Sequence, residues 1–77
     1  MPTAFVLINT QLDDVEEILD AVKKVRGIEE AYIVYGGYDI ITRVIAETMN
    51  ELREIVPWRI RHIKGVRSTQ TMIVVSK

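Results

Sequence analysis

Asp39 is the carboxylate of this chain that stands apart. It follows Gly36, Gly37 and Tyr38, whereas most other acids cluster early in the chain, as Asp13, Asp14, Glu16, Glu17 and Asp20 do. An acid beside two glycines suits two roles. Its oxygens can accept nearby backbone N–H groups and stabilise a turn. Alternatively, open glycine amides bind a carboxylate while the acid binds an ammonium, and together they hold a zwitterion. The residues alone leave both roles open.

His62 is the single histidine, and cysteine is absent. A lone histidine without thiolates is not a metal site. As a general base it lacks an orienting acid, because its charged neighbours Arg59, Arg61, Lys64 and Arg67 are basic. No catalytic residue, cofactor or metal is expected on these grounds, and an enzyme is not the favoured class. The same basic cluster suits a helix C-terminus. It also raises nucleic acid as a partner, but net charge is −1 and pI about 5.7, whereas nucleic-acid binders are usually basic. The segment Tyr38–Ile45 lacks the basic, glycine-rich octamer of RNA-binding sheets. A phosphate loop and a dinucleotide fingerprint are absent. Asn9-Thr10-Gln11-Leu12 stands where a heavy-metal domain would carry paired cysteines.

These residues must be positioned by a small scaffold. Seventy-seven residues make one domain, and the 48% hydrophobic content excludes disorder. A chain this short, with no disulfide, gains stability readily by oligomerising. The longest apolar run, Ala4–Ile8, is far too short to span a bilayer, so no membrane association is expected. The default compartment is the cytoplasm. That same run reads as a strand with both faces covered. Leu12, Val15, Ile18, Leu19, Val22 and Val25 recur at helical spacing, which predicts a helix over 13–25 capped at Gly27. Strands are expected over 28–35 and 38–46, joined by a two-residue Gly36-Gly37 loop of the positive-φ type. The register then sets Ile33 opposite Ile40, Ala31 opposite Thr42, Tyr32 opposite Ile41, and Glu30 opposite Arg43 as an ion pair.

Thr48 and Glu51 form a capping box for a second helix. Pro57 should kink or break that helix near 56–58. Gly65 ends it, and a fourth strand runs over 66–76. Val25-Arg26-Gly27-Ile28 and Ile63-Lys64-Gly65-Val66 echo one another. The order βαββαβ with right-handed crossovers predicts an α+β, ferredoxin-like antiparallel sheet of order 4-1-3-2 with both helices on one face. The other face would display Tyr32, Val34, Ile41 and Ile45, a patch that calls for a partner.

The hairpin YIVYGGYDIITRV at 32–44 and the segment IKGVRSTQTMIVV at 63–75 resemble the effector (RAM) domain of Lrp/AsnC regulators along the whole chain. The resemblance rests on Gly36, Gly37, Tyr38 and Asp39, on Gly65 and Val66, and on Thr69 and Thr71. Members of that family usually carry an N-terminal helix-turn-helix, whereas this sequence starts at strand one, so a single RAM-like domain over 1–77 without direct DNA binding is expected. The resemblance further implies dimers formed sheet to sheet, higher rings such as octamers, and hetero-assembly with Lrp/AsnC-type regulators. An amino-acid effector would bind between dimers, held by Gly36, Gly37, Tyr38 and Asp39, with Ser68, Thr69, Gln70 and Thr71 from a neighbouring subunit closing the site. Trp58, beside Pro57, would be an interface anchor or a flank of the core. The competing classes are a small dimeric α+β barrel enzyme of the monooxygenase type and a purely structural ring subunit. An ACT-type site is disfavoured, because Asn9-Thr10-Gln11 lacks the glycine usual after strand one.

Overall fold

A computed structural model describes residues 1–11 and 14–76. Four antiparallel strands form one sheet: β1 (Thr3–Thr10), β2 (Ile28–Ile33), β3 (Ile40–Ile45) and β4 (Val66–Ile73), in the order β2-β3-β1-β4. This is the expected ferredoxin-like topology. Helix α1 (Val15–Lys23) follows β1. A π-helical turn (Glu51–Ile55) runs into helix α2 (Val56–Arg61) between β3 and β4.

Period-two alternation along the strands divides the sheet into two faces. Ala4, Val6 and Ile8 of β1, Ala31 of β2, and Ile40 and Val44 of β3 are buried with Ile18, Val22, Leu52, Val56 and Ile60 of the helical segments. Thr42 is buried among them, its hydroxyl donating to the Val6 carbonyl at 3.0 Å. The opposite face carries Phe5, Leu7, Ile41 and Ile45 half-buried, with Tyr32, Val34 and Met72 exposed. The expectation that β1 is covered on both faces therefore holds for one face within a single chain. The Arg43–Glu30 ion pair forms on the open face, Nε to Oε1 at 3.0 Å.

Local chemistry sets the boundaries. Asp14 caps α1, its carboxylate accepting the Glu17 N–H at 3.1 Å. Leu12 and Asp13, the first residues of the expected amphipathic stretch, lie outside the described residues. At the other end, Gly27 sits three residues past the Lys24 cap, at φ +104°, where a Cβ would lie 3.1 Å from the Ile45 carbonyl oxygen. In the capping box, the Thr48 hydroxyl accepts the Glu51 N–H at 3.1 Å. The Glu51 carboxylate takes that same hydroxyl at 3.4 Å rather than a backbone N–H. Pro57 has its effect just upstream. It brings no N–H to the carbonyl four residues back. The preceding turn widens instead, so that the Val56 N–H bonds to the Glu51 carbonyl, five residues back.

The sequence echo is a structural repeat. In the first copy the Val25 N–H bonds to Val22 O and the Ile28 N–H to Val25 O, at 3.0 and 3.2 Å. In the second the Ile63 N–H bonds to Ile60 O and the Val66 N–H to Ile63 O, at 3.0 and 3.1 Å. Each glycine carbonyl then accepts from the neighbouring central strand: Gly27 from Ile45 at 2.9 Å, and Gly65 from Gln11, just past β1, at 2.8 Å.

Candidate functional site

The site begins with the tie between β3 and β1. The Asp39 N–H donates to the Ile8 carbonyl at 2.9 Å, which brings the carboxylate to the end of β1. There Oδ2 accepts the Thr10 N–H at 2.8 Å and the Thr10 hydroxyl at 3.2 Å. Thr10 is buried, so both bonds are shielded on one side. Asp39 is thus a cross-strand residue, not one that closes its own turn. The other carboxylate oxygen, Oδ1, accepts no hydrogen bond among the described residues.

This tie also explains the hairpin. Register follows expectation through Ile33–Ile40, and the Val34 N–H reaches Asp39 O at 2.9 Å. Beyond that pair no backbone bond joins Tyr35 to Tyr38 among the described residues. A two-residue loop of the expected kind needs the first central residue at φ about +60°, and in type I′ a positive φ at the second as well. Gly36 is close to extended, and Gly37 does not have a positive φ. The chain instead bends broadly through Tyr35–Gly37, with Tyr35 fully exposed and Tyr38 half-buried.

On the other side of β1 the fourth strand begins with a bulge. Thr10 faces Val66 and Asn9 faces Ser68, so Arg67 is an extra residue. Bulges of this kind re-aim a side chain at a sheet edge. The Asn9 amide meets Ser68 Oγ at 3.3 Å. Together Asn9, Thr10, Gln11, Asp39 and Arg67 line an open pocket of about 530 Å³. It offers a carboxylate, a guanidinium, two carboxamides and a hydroxyl. Such a set can hold a small ligand bearing both charges. It contains no nucleophile paired with a base.

Of the residues singled out in the sequence, Asp39 lines this pocket. Gly36 and Gly37 are exposed at the hairpin tip, with open space around both. Ser68 borders the pocket through Asn9. Gln70 lies opposite Leu7 on the open face, while Thr69 and Thr71 lie opposite Ile8 and Val6 on the helix side. Alternation therefore splits the four β4 residues between two faces. Arg67 belongs to the site, although its sequence neighbourhood suggests a helix end. His62 lies elsewhere. Its Nδ1 donates to the Trp58 carbonyl at 2.8 Å, and its ring stacks on Trp58 with centroids 4.0 Å apart. Trp58 is exposed, which removes it from the core. Among the described residues no three His, Cys, Asp or Glu side chains are placed to hold a metal ion. Among the described residues no helix is long and apolar enough to cross a membrane.

A ferredoxin-like sheet with a charged pocket at its strand ends defines a small ligand-binding domain. The chain belongs to the Lrp/AsnC ligand binding domain family, whose profile matches residues 3–77. Among curated proteins it is 39% identical over 74 residues to an uncharacterized HTH-type transcriptional regulator of Pyrococcus furiosus, covering 92% of this chain and 49% of that one. The chain spans about half the length of this and the other Pyrococcus regulators it matches. Among solved structures it superposes on TTHA0845 from Thermus thermophilus with a TM-score of 0.91 and 31% identity, over 100% of this chain and 96% of that one. A feast or famine regulatory protein from M. tuberculosis complexed with L-methionine matches with a TM-score of 0.81 and 25% identity. That match covers 100% of this chain and 52% of the other.

Proposed function

We propose that this chain is a non-enzymatic amino-acid sensor, with Asp39 holding the ligand's ammonium group. The observation that carries this reading is the Asp39 carboxylate. It is fixed by Thr10 through one oxygen, with the other oxygen unengaged among the described residues, in a pocket that also holds a guanidinium. A fixed, half-satisfied carboxylate is preorganised for a cation. The methionine complex of the M. tuberculosis relative supports the same ligand class.

In this reading the open sheet face pairs with that of a second copy, and dimers assemble further into a ring such as an octamer. The ligand lies where dimers meet, and its binding shifts the assembly equilibrium. The hairpin residues Gly36, Gly37 and Tyr38 and the β4 residues Ser68, Thr69, Gln70 and Thr71 of a neighbouring subunit complete the enclosure. The domain acts in the cytoplasm and modulates Lrp/AsnC-type regulators by co-assembly. The pocket's position at the strand ends, outside any barrel formed by two facing sheets, favours this over the monooxygenase-like alternative. The free carboxylate oxygen favours it over a ring subunit with no ligand.

The test is Asp39→Ala in titration calorimetry. Amino-acid binding should disappear while circular dichroism shows a folded domain. Unchanged affinity would remove Asp39 from the site.

A further inference from the structure

We infer that Arg67 is the carboxylate-binding residue of this pocket, acting with Asp39 of the same chain to select ligands that carry both an ammonium and a carboxylate. This rests on the amino-acid-binding reading above. It changes which group takes the carboxylate: the guanidinium rather than the amides of Gly36 and Gly37.

The first support is placement. Arg67 and Asp39 both line the pocket, and neither hairpin glycine does. β1 lies between β3 and β4, so the acid approaches the end of β1 from one side and the base from the other.

The second is a comparison inside the molecule. The bulge occurs twice, once in each half of the repeat. Ile28 faces Val44 and Glu30 faces Arg43, which makes Glu29 the extra residue of β2. Glu29 and Arg67 each follow the positive-φ glycine by two positions. The bulge as such is therefore a property of the fold. What differs is the charge it presents. The first copy places an acid in a depression it shares with Lys23 and Glu30. The second places a base in the pocket that holds Asp39.

The third is electrostatic. The ion pair found among the described residues is Arg43–Glu30, and neither Asp39 nor Arg67 takes part in one. Two opposite charges that share a pocket without neutralising each other are arranged for a third group. A guanidinium presents its N–H donors as a fork that matches a carboxylate in two parallel bonds, which a turn amide cannot do.

The experiment titrates the twenty L-amino acids into the wild-type protein, then compares the tightest binder with its carboxamide, which keeps the ammonium and loses the negative charge. The carboxamide should bind the wild type at least about tenfold more weakly. Arg67→Met should weaken the amino acid by about the same factor and bind the two compounds alike. Arg67→Lys should recover part of the preference, since it restores charge without the fork. Arg67 is exposed, and unchanged circular dichroism and sedimentation of Arg67→Met would confirm an intact fold. If Arg67→Met keeps the wild-type preference for the free carboxylate, the assignment is overturned, and loss of binding in Asp39→Ala would still uphold the sensor reading. If no amino acid binds the wild type, that reading fails and this assignment fails with it.

Discussion

Thr10 and Asp39 are 29 positions apart, yet the backbone N–H and the hydroxyl of Thr10 converge on one oxygen of the Asp39 carboxylate, at 2.8 and 3.2 Å. The same acid that orders the end of β1 also lines the pocket. In the proposed reading, structure and binding are coupled through one side chain.

That coupling has a measurable cost. Asp39→Ala leaves the buried Thr10 without its charged acceptor, so unfolding in urea should show a loss of about 1–3 kcal/mol with a cooperative transition retained. A variant as stable as the wild type would mean that water replaces the carboxylate freely and that the tie is not structural.

Gly65 gives a second test, because it closes the loop that leads into the bulge. Its φ is +96°, and a Cβ there would stand 2.5 Å from Ile18 Cδ1. Gly65→Ala should destabilise the domain by about 2 kcal/mol or more, combining backbone strain with overpacking. Ile18→Val alone should cost roughly 1 kcal/mol. It removes the atom that is struck, so the double variant should lose less than the sum of the two. Strict additivity in urea unfolding would contradict the contact.

The open sheet face gives a third. Phe5, Leu7, Ile41 and Ile45 are half-buried there beside exposed Tyr32, Val34 and Met72. A patch of this kind on a small domain calls for a covering surface. Sedimentation should find the wild type as a dimer or larger, and Leu7→Glu should shift it to monomer by burying an unpaired charge at the contact. A Leu7→Glu variant with the wild-type mass would exclude this face as the contact.

The order of the strands and their pairing were legible from the sequence, because local signals mark the elements and right-handed crossovers fix the order of a βαββαβ chain. A continuous apolar run marks β1, glycines mark the loops after the helices, and the Glu30–Arg43 pair follows from counting outward from the hairpin. The turn itself was less legible. Two glycines suggest a tight positive-φ loop, but the bond from Asp39 to Ile8 draws the hairpin toward β1, and that bond is invisible to a local argument. Arg67 was obscured for a related reason. In sequence it follows Arg59, Arg61 and Lys64 and resembles the last charge of a helix end. Only the pairing of β4 with β1 shows it as the extra residue beside Asn9 and Thr10. Strict alternation could have separated Ser68 and Gln70 from Thr69 and Thr71, since neighbours on a strand face opposite ways.

The central claim is that an amino acid binds at Asp39, and a thermal-shift panel of the twenty amino acids at millimolar concentration tests it most directly. A ligand present at about 100 times its dissociation constant adds roughly 2.7 kcal/mol. In a domain of this size each kcal/mol raises the midpoint by about 4–8 °C. At least one amino acid should raise Tm by about 10 °C in the wild type and leave Asp39→Ala unmoved. No shift with any of the twenty, or an equal shift in the variant, would contradict the account.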